Sequence, residues 1–170
     1  MANTYSLIEA KTLSSDTASI SFTSIPATFT DLLVFISSRT NAGITSDEAR
    51  ITFNNNTSSY SWKMLYSSGS GAFGANDASD PEIPGIQMPG NNATASTFSV
   101  NSIYIPGYAS SNYKSVSIDS TQEDNVTTAY IKMVTGLWSN TAAITSIQVF
   151  GATGSFVPYS TFYLYGIKKN

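Results

Sequence analysis

Ser115-Val116-Ser117-Ile118-Asp119 places an apolar side chain at every second position. Successive side chains of a strand point to opposite faces, so this stretch reads as a strand with one buried and one wet face. The same period of two recurs on either side of it. Ala18, Ile20 and Phe22 alternate with Ser19, Ser21 and Thr23, and Ile51 and Phe53 with Thr52 and Asn54. Tyr60, Trp62, Met64 and Tyr66 alternate with Ser61, Lys63 and Leu65, and Ile147 and Val149 with Ser146 and Gln148.

Two stretches depart from the alternation. Asp31-Leu-Leu-Val-Phe-Ile and Ala129-Tyr-Ile-Lys-Met-Val are apolar at nearly consecutive positions and read as central strands covered on both faces. No window of a dozen residues carries a 3.6-residue stripe, and only seven Leu are present, which suits sheet better than helix. Strands are predicted at 4–13, 17–24, 31–39, 49–54, 59–66, 97–105, 113–120, 128–136, 143–150 and 161–168. Turn signals fall between them at Ile25-Pro26-Ala27, Asn41-Ala42-Gly43, Ile105-Pro106-Gly107, Gly151 to Gly154 and Val157-Pro158. About ten short strands so punctuated predict one all-β domain over 1–170: a two-sheet antiparallel β-sandwich, jelly-roll-like, with a barrel as second choice. Alternation places Ile20, Phe22, Leu33, Phe35, Ile51, Phe53, Trp62, Val100, Val116, Ile118, Ile131, Met133, Ile147, Val149, Leu164 and Ile167 in the core.

Ser67 to Ser96 breaks the rhythm with Gly69, Gly71, Gly74, Pro81, Pro84, Gly85, Pro89 and Gly90. It reads as a long Gly/Pro-rich loop at about 67–96. Long loops in compact domains are commonly functional, and Phe73, Ile83, Ile86 and Met88 would give such an arm apolar anchors on a neighbouring surface; the alternative is an ordinary long loop folded over its own domain.

The 170 residues are 41% hydrophobic but only 11% charged, well below the roughly 25% of ordinary domains. Ser and Thr supply about 28% of the chain and 13 Asn accompany them, so hydroxyls and amides take the place of ions. A net charge of -3 with eight scattered basic residues offers no stripe for phosphates, which argues against nucleic acid. The longest apolar run, Leu32 to Ile36, is far below the ~20 residues of a membrane-spanning helix, and the beginning Met1-Ala-Asn-Thr-Tyr-Ser lacks the features of a secretory signal. The absence of Cys and His excludes disulfides, thiolate zinc sites and Ser-His-Asp or Cys-His catalysis.

Asp77, Asp80, Glu82, Asp119, Glu123 and Asp124 are the acids that glycoside hydrolysis would need, but nothing in the sequence pairs any two at a defined separation. Asp77 to Glu82 and Glu123-Asp124-Asn125 could also offer oxygens to calcium, though neither has the EF-hand pattern. The expectation is no catalytic residue, no metal and no cofactor. Tyr60, Trp62, Tyr66 and Trp138 could stack on a sugar ring, with core packing the stronger reading. Asn56-Thr-Ser, Asn92-Ala-Thr and Asn125-Val-Thr match the glycosylation pattern, which matters only in a eukaryotic secretory route. Gly69-Ser-Gly-Ala-Phe-Gly74 lacks the βαβ context of a nucleotide fingerprint.

Ser19-Ile-Ser-Phe-Thr-Ser-Ile-Pro-Ala, Asp31-Leu-Leu-Val, Ile51-Thr-Phe-Asn-Asn-Asn, Tyr60-Ser-Trp-Lys-Met-Leu-Tyr and Ser160-Thr-Phe-Tyr-Leu-Tyr-Gly-Ile follow one another in that order. Together they resemble small structural proteins of tailed bacteriophages, especially those of aquatic bacteria (cyanophage-like), from about residue 5 to 168. The resemblance implies a virion component, assembled in the bacterial cytoplasm, and carries over no catalytic residue. It does not fix the place in the virion; with no coiled-coil heptad, shaft repeat or second domain in the sequence, the expectation is a capsid decoration (cement) role, with the major capsid protein or other virion proteins as partners. The alternative is a tail-associated receptor- or glycan-binding module. Open sheet edges predict a homo-oligomer, a trimer, with Lys114, Lys132, Lys168 and Lys169 guarding edges.

Overall fold

The computed structural model describes residues 4–125 and 129–168. It is all-β: β1 (Tyr5–Thr12), β2 (Ser19–Phe22), β3 (Asp31–Ser37), β4 (Ser46–Phe53), β5 (Tyr60–Ser67), β6 (Ala72–Asp80), β7 (Ile83–Pro89), β8 (Val100–Pro106), β9 (Lys114–Gln122), β10 (Tyr130–Trp138), β11 (Ile147–Gly151) and β12 (Thr161–Ile167). Eight strands form one sheet in the order β1-β12-β3-β8-β9-β10-β5-β6, and four form a second in the order β2-β11-β4-β7. The paired strands run antiparallel. The expected antiparallel sandwich is thus the observed architecture. All ten expected strands have counterparts, although residue 128 lies outside the described residues.

The two added strands both come from 67–96, which is not a loop. β6 is poor in strand-forming residues and is held as a strand by its ladder to β5. β7, Ile83-Pro-Gly-Ile-Gln-Met-Pro, is buried at every position. It pairs with β4 on one side only and packs on the large sheet over β5, β8, β9 and β10. Pro84 and Pro89 are compatible with this place because an edge strand leaves half its N–H groups outside the ladder. Gly85 has φ +105, and a Cβ there would meet Val134 Cγ2 at 2.5 Å, so only glycine fits between β7 and β10.

The core lies between the sheets. Ile20, Phe22, Ile51, Phe53, Val116, Ile118, Ile147, Val149 and Leu164 are buried there, as alternation predicts. At one end Phe53, Tyr60 and Trp138 pack together, with ring centroids 5.7 Å apart for Phe53–Trp138 and a stacked Tyr60–Trp138 pair at 6.2 Å. Tyr60 Oη accepts the Phe53 N–H at 2.8 Å and donates to the Asn56 carbonyl at 3.1 Å. Burial pushes its pKa up to about 12, against which the Phe53 hydrogen bond acts weakly.

Six expected core residues need correction, because they point away from the core. Leu33 and Phe35 on β3, Val100 on β8, Ile131 and Met133 on β10 and Ile167 on β12 lie on the opposite face from the buried residues of their strands. The buried faces are Leu32, Val34 and Ile36; Asn101, Ile103 and Ile105; Lys132, Val134 and Trp138; and Phe162 and Leu164. Trp62 faces inward but is only partly buried. Neither β3 nor β10 is covered on both faces. When both faces of a strand are apolar, composition cannot choose between them, and a shift of one residue exchanges the two.

Polar side chains also enter the core. Asn101 donates to Ser99 Oγ at 2.8 Å, and Ser120 Oγ accepts the Gln87 N–H at 2.7 Å. Lys114 and Lys132 do not guard edges: they belong to interior strands β9 and β10 and are buried. The Lys114 ammonium donates to the carbonyls of Ser110 (2.8 Å), Asn112 and Asn140 (3.4 Å), tying the turn before β9 to the end of β10, and burial lowers its pKa. Lys168 follows β12, its Nζ 5.4 Å from the Phe29 ring centroid, and Lys169 lies outside the described residues.

Candidate interaction surface

The four-stranded sheet covers one face of the eight-stranded sheet. Among the described residues no layer covers the other face, and register shows what it carries. Leu7, Tyr165, Leu33 and Tyr104 are successive cross-strand neighbours on β1, β12, β3 and β8. Tyr163 and Phe35 form the adjacent row. Phe35 and Tyr165 meet edge to face at 6.1 Å, and Tyr104 donates to Asp31 Oδ2 at 2.9 Å, which raises the Tyr104 pKa. Tyr5, Leu33, Phe35 and Tyr165 line a shallow depression of about 300 Å³.

A second apolar group lies on β10 and β5, where Met133 faces Leu65 across the ladder and Ile131 faces Ser67. Between the groups runs a hydroxyl-rich stripe on β9: Ser115, Ser117, Asp119 and Thr121. Val100 borders it opposite Thr121. Exposure is 55% at Leu7, 43% at Phe35, 68% at Val100, 56% at Leu65 and 59% at Met133, so these side chains stand in solvent in the single chain. Contiguous apolar exposure on one face is the usual mark of an interaction surface.

Charge concentrates elsewhere, in an open cleft of about 460 Å³ at the margin of the two sheets. Lys132 Nζ lies 2.6 Å from Glu48 Oε2, and Arg50 pairs with Glu82, whose hydrogen bond raises the Arg50 pKa. Lys132 also lies 5.9 Å from the Tyr66 ring centroid and 5.8 Å from that of Tyr130. Of the aromatics considered for sugar stacking, Tyr60 and Trp138 are core and Trp62 donates to Asp80 Oδ2 at 2.9 Å. Only Tyr66 reaches the cleft, where Tyr130, which sequence reasoning passed over, joins it.

The anchors expected on an arm are divided. Ile83, Ile86 and Met88 are fully buried in the chain's own core, so they have no free surface to offer. Phe73 is 45% exposed at the β6 margin, tilted against Tyr66 at 5.6 Å. The loop acids mostly serve local structure. Asp77 accepts the Ser79 N–H and Glu123 the Asn125 N–H, each at 2.8 Å, while Asp80 accepts the Glu82 N–H at 3.2 Å. Asp124 is buried and accepts from Gln122 at 3.0 Å; Asp119 stands on β9 opposite Met133. Among the described residues no three such side chains gather where a metal could sit. Asn56 sits in a tight turn, with Oδ1 accepting the Ser58 N–H at 2.8 Å, and Asn92 Nδ2 donates to the Gly43 carbonyl at 2.8 Å. The third glycosylation motif runs into 126–128, outside the described residues.

No protein-family model matches the chain, and no curated protein or solved structure matches it.

Proposed function

We propose that this chain is a non-enzymatic structural protein of a tailed bacteriophage, a capsid decoration protein that seats the outer face of its eight-stranded sheet on the major capsid protein. The observation that carries this reading is the uncovered face itself, with Leu7, Leu33, Phe35 and Tyr165 on one side of the β9 stripe and Leu65, Ile131 and Met133 on the other. Its apolar groups interrupted by Ser, Thr and one Asp combine hydrophobic contact with hydrogen bonding, the mixture common in protein interfaces. The likeness of the strand motifs to phage structural proteins supports a place in the virion and assembly in the bacterial cytoplasm. A jelly-roll-like fold and a homo-oligomeric state belong to the same reading. The test is the copy number on purified particles of the encoding virus, by quantitative mass spectrometry: hundreds of copies are expected, and a handful would overturn the decoration role.

The cleft favours a second reading, a tail-associated module that binds a host glycan. Tyr66 and Tyr130 offer ring faces, and Glu48 and Lys132 offer the fixed polar groups that orient a sugar. A glycan array with the purified chain tests it. Binding lost on Tyr130→Ala supports the module, and silence across the array removes it.

A further inference from the structure

Each of the two sheets ends in two edge strands, and three of these four edges are blunted. On β1 the register shifts between Leu7 and Glu9, and Lys11 Nζ pairs with Glu9 Oε1 at 2.7 Å. β2 has only four residues. β7 is buried throughout and carries two prolines. Bulges, charges, short length, proline and cover are the means by which sheets prevent their edges from pairing with other chains. β6 has none of them over its first half. Ala72-Phe-Gly-Ala-Asn76 is uncharged and free of proline, its ladder with β5 is regular from Ala72 to Asp77, and four of these five residues are exposed. Among the described residues no backbone hydrogen bond outside that ladder involves them. A row of N–H and C=O groups therefore faces outward.

We infer that β6 is a self-association edge, which pairs antiparallel with β6 of a second copy about a two-fold axis normal to the sheet. An antiparallel strand is complementary to itself, so one edge satisfies the donors and acceptors of both copies. Charge permits it. With the axis at Gly74, Asp77 falls opposite Gly71; at Ala75, opposite Phe73; at Asn76, opposite Ala75. In the same three registers Asp80 falls opposite Ser68, Ser70 or Ala72, so no two acids meet. The small side chains of Ala72, Gly74 and Ala75 put little bulk in the way of the ladder. An axis normal to the sheet keeps both outer faces on one side, so the Leu65–Met133 groups of the two copies continue into one surface across the seam. The inference holds whether or not the chain sits on a capsid.

The chain contains no cysteine, so one introduced cysteine reports contacts between copies alone. Opposed residues in an antiparallel ladder have Cα atoms about 4.5–5.5 Å apart, within disulfide range. Gly74→Cys, Ala75→Cys and Asn76→Cys are made in the full chain with Ala10→Cys on β1 as control, and melting curves confirm folding. The expected results are a two-chain mass for the unmodified protein by sedimentation equilibrium and a covalent dimer from the variant at the axis, with none from Ala10→Cys. A one-chain or three-chain mass would overturn the inference. So would cross-linking at β1 that equals that at β6.

Discussion

Gly136 on β10 lies directly beneath Ile83 on β7: a Cβ at residue 136 would stand 2.7 Å from Ile83 Cδ1 and 3.0 Å from its Cγ2. Ile83 is fully buried and has nowhere to retreat. Glycine inside a strand weakens it, and its use here fits a site where another strand approaches closely. Gly136→Ala should lower stability by roughly 1–3 kcal/mol through overpacking. Chemical denaturation gives the value, and pairing the change with Ile83→Val should recover part of the loss. Equal midpoints for Gly136→Ala and the unmodified chain would show that the two strands can separate freely.

Tyr60→Phe removes the acceptor of the Phe53 N–H inside the core and should cost about 1–3 kcal/mol at neutral pH. Its pH dependence has a definite sign. The folded-state pKa of Tyr60 is raised to about 12, above the ordinary 10, so folding favours the protonated phenol. That contribution is fully present below pH ~10 and is lost as pH rises through 10 to 12. Denaturation midpoints taken across this window should fall more steeply for the unmodified chain than for Tyr60→Phe. Parallel curves would show that the phenol titrates normally.

The Lys132–Glu48 pair lies 2.6 Å apart, with Lys132 8% exposed. Lys132→Met strips the partly buried Glu48 carboxylate of its counter-ion and should cost about 1–3 kcal/mol. Adding Glu48→Gln should restore much of that. A double-mutant cycle checks this, and strictly additive losses would mean that the pair does not couple.

Phe53 and Phe35 make a matched comparison. Phe53 is fully buried, so Phe53→Ala should cost about 3–5 kcal/mol and sharply lower the melting temperature. Phe35 is 43% exposed on the outer face, and Phe35→Ser should shift stability far less while weakening attachment to particles that lack the protein. Particle binding unchanged by Phe35→Ser combined with Met133→Ser would remove the outer face as the attachment surface.

Clean alternation is enough to place Ile20, Phe22, Ile51, Phe53, Val116 and Ile118 in the core, because each has a polar neighbour on either side that marks the wet face. It fails at β3, where Leu33 and Phe35 are as apolar as the residues they back onto, and at β10, where the exposed Ile131 and Met133 flank the buried Lys132. The choice of face was made by the small sheet, which covers one side of the large sheet and leaves the other bare. The candidate surface is hidden for the same reason: Leu33, Phe35, Val100, Ile131 and Met133 read as core residues.

Read alone, the sequence establishes the class: all-β, Cys-free and His-free, sparsely charged and cut by turns into short strands. The period of two is a property of each segment alone and needs no partner to be read. Tertiary structure decided the rest. β6 and β7 are strands because β5 and β4 offer them ladders, despite their glycines and prolines. Lys114 and Lys132 are interior because carbonyls of the preceding turn and of Asn140 meet the first ammonium group and the Glu48 carboxylate meets the second. Which face binds and which edge stays open depend on strand order, and strand order is set by contacts among segments far apart in the chain.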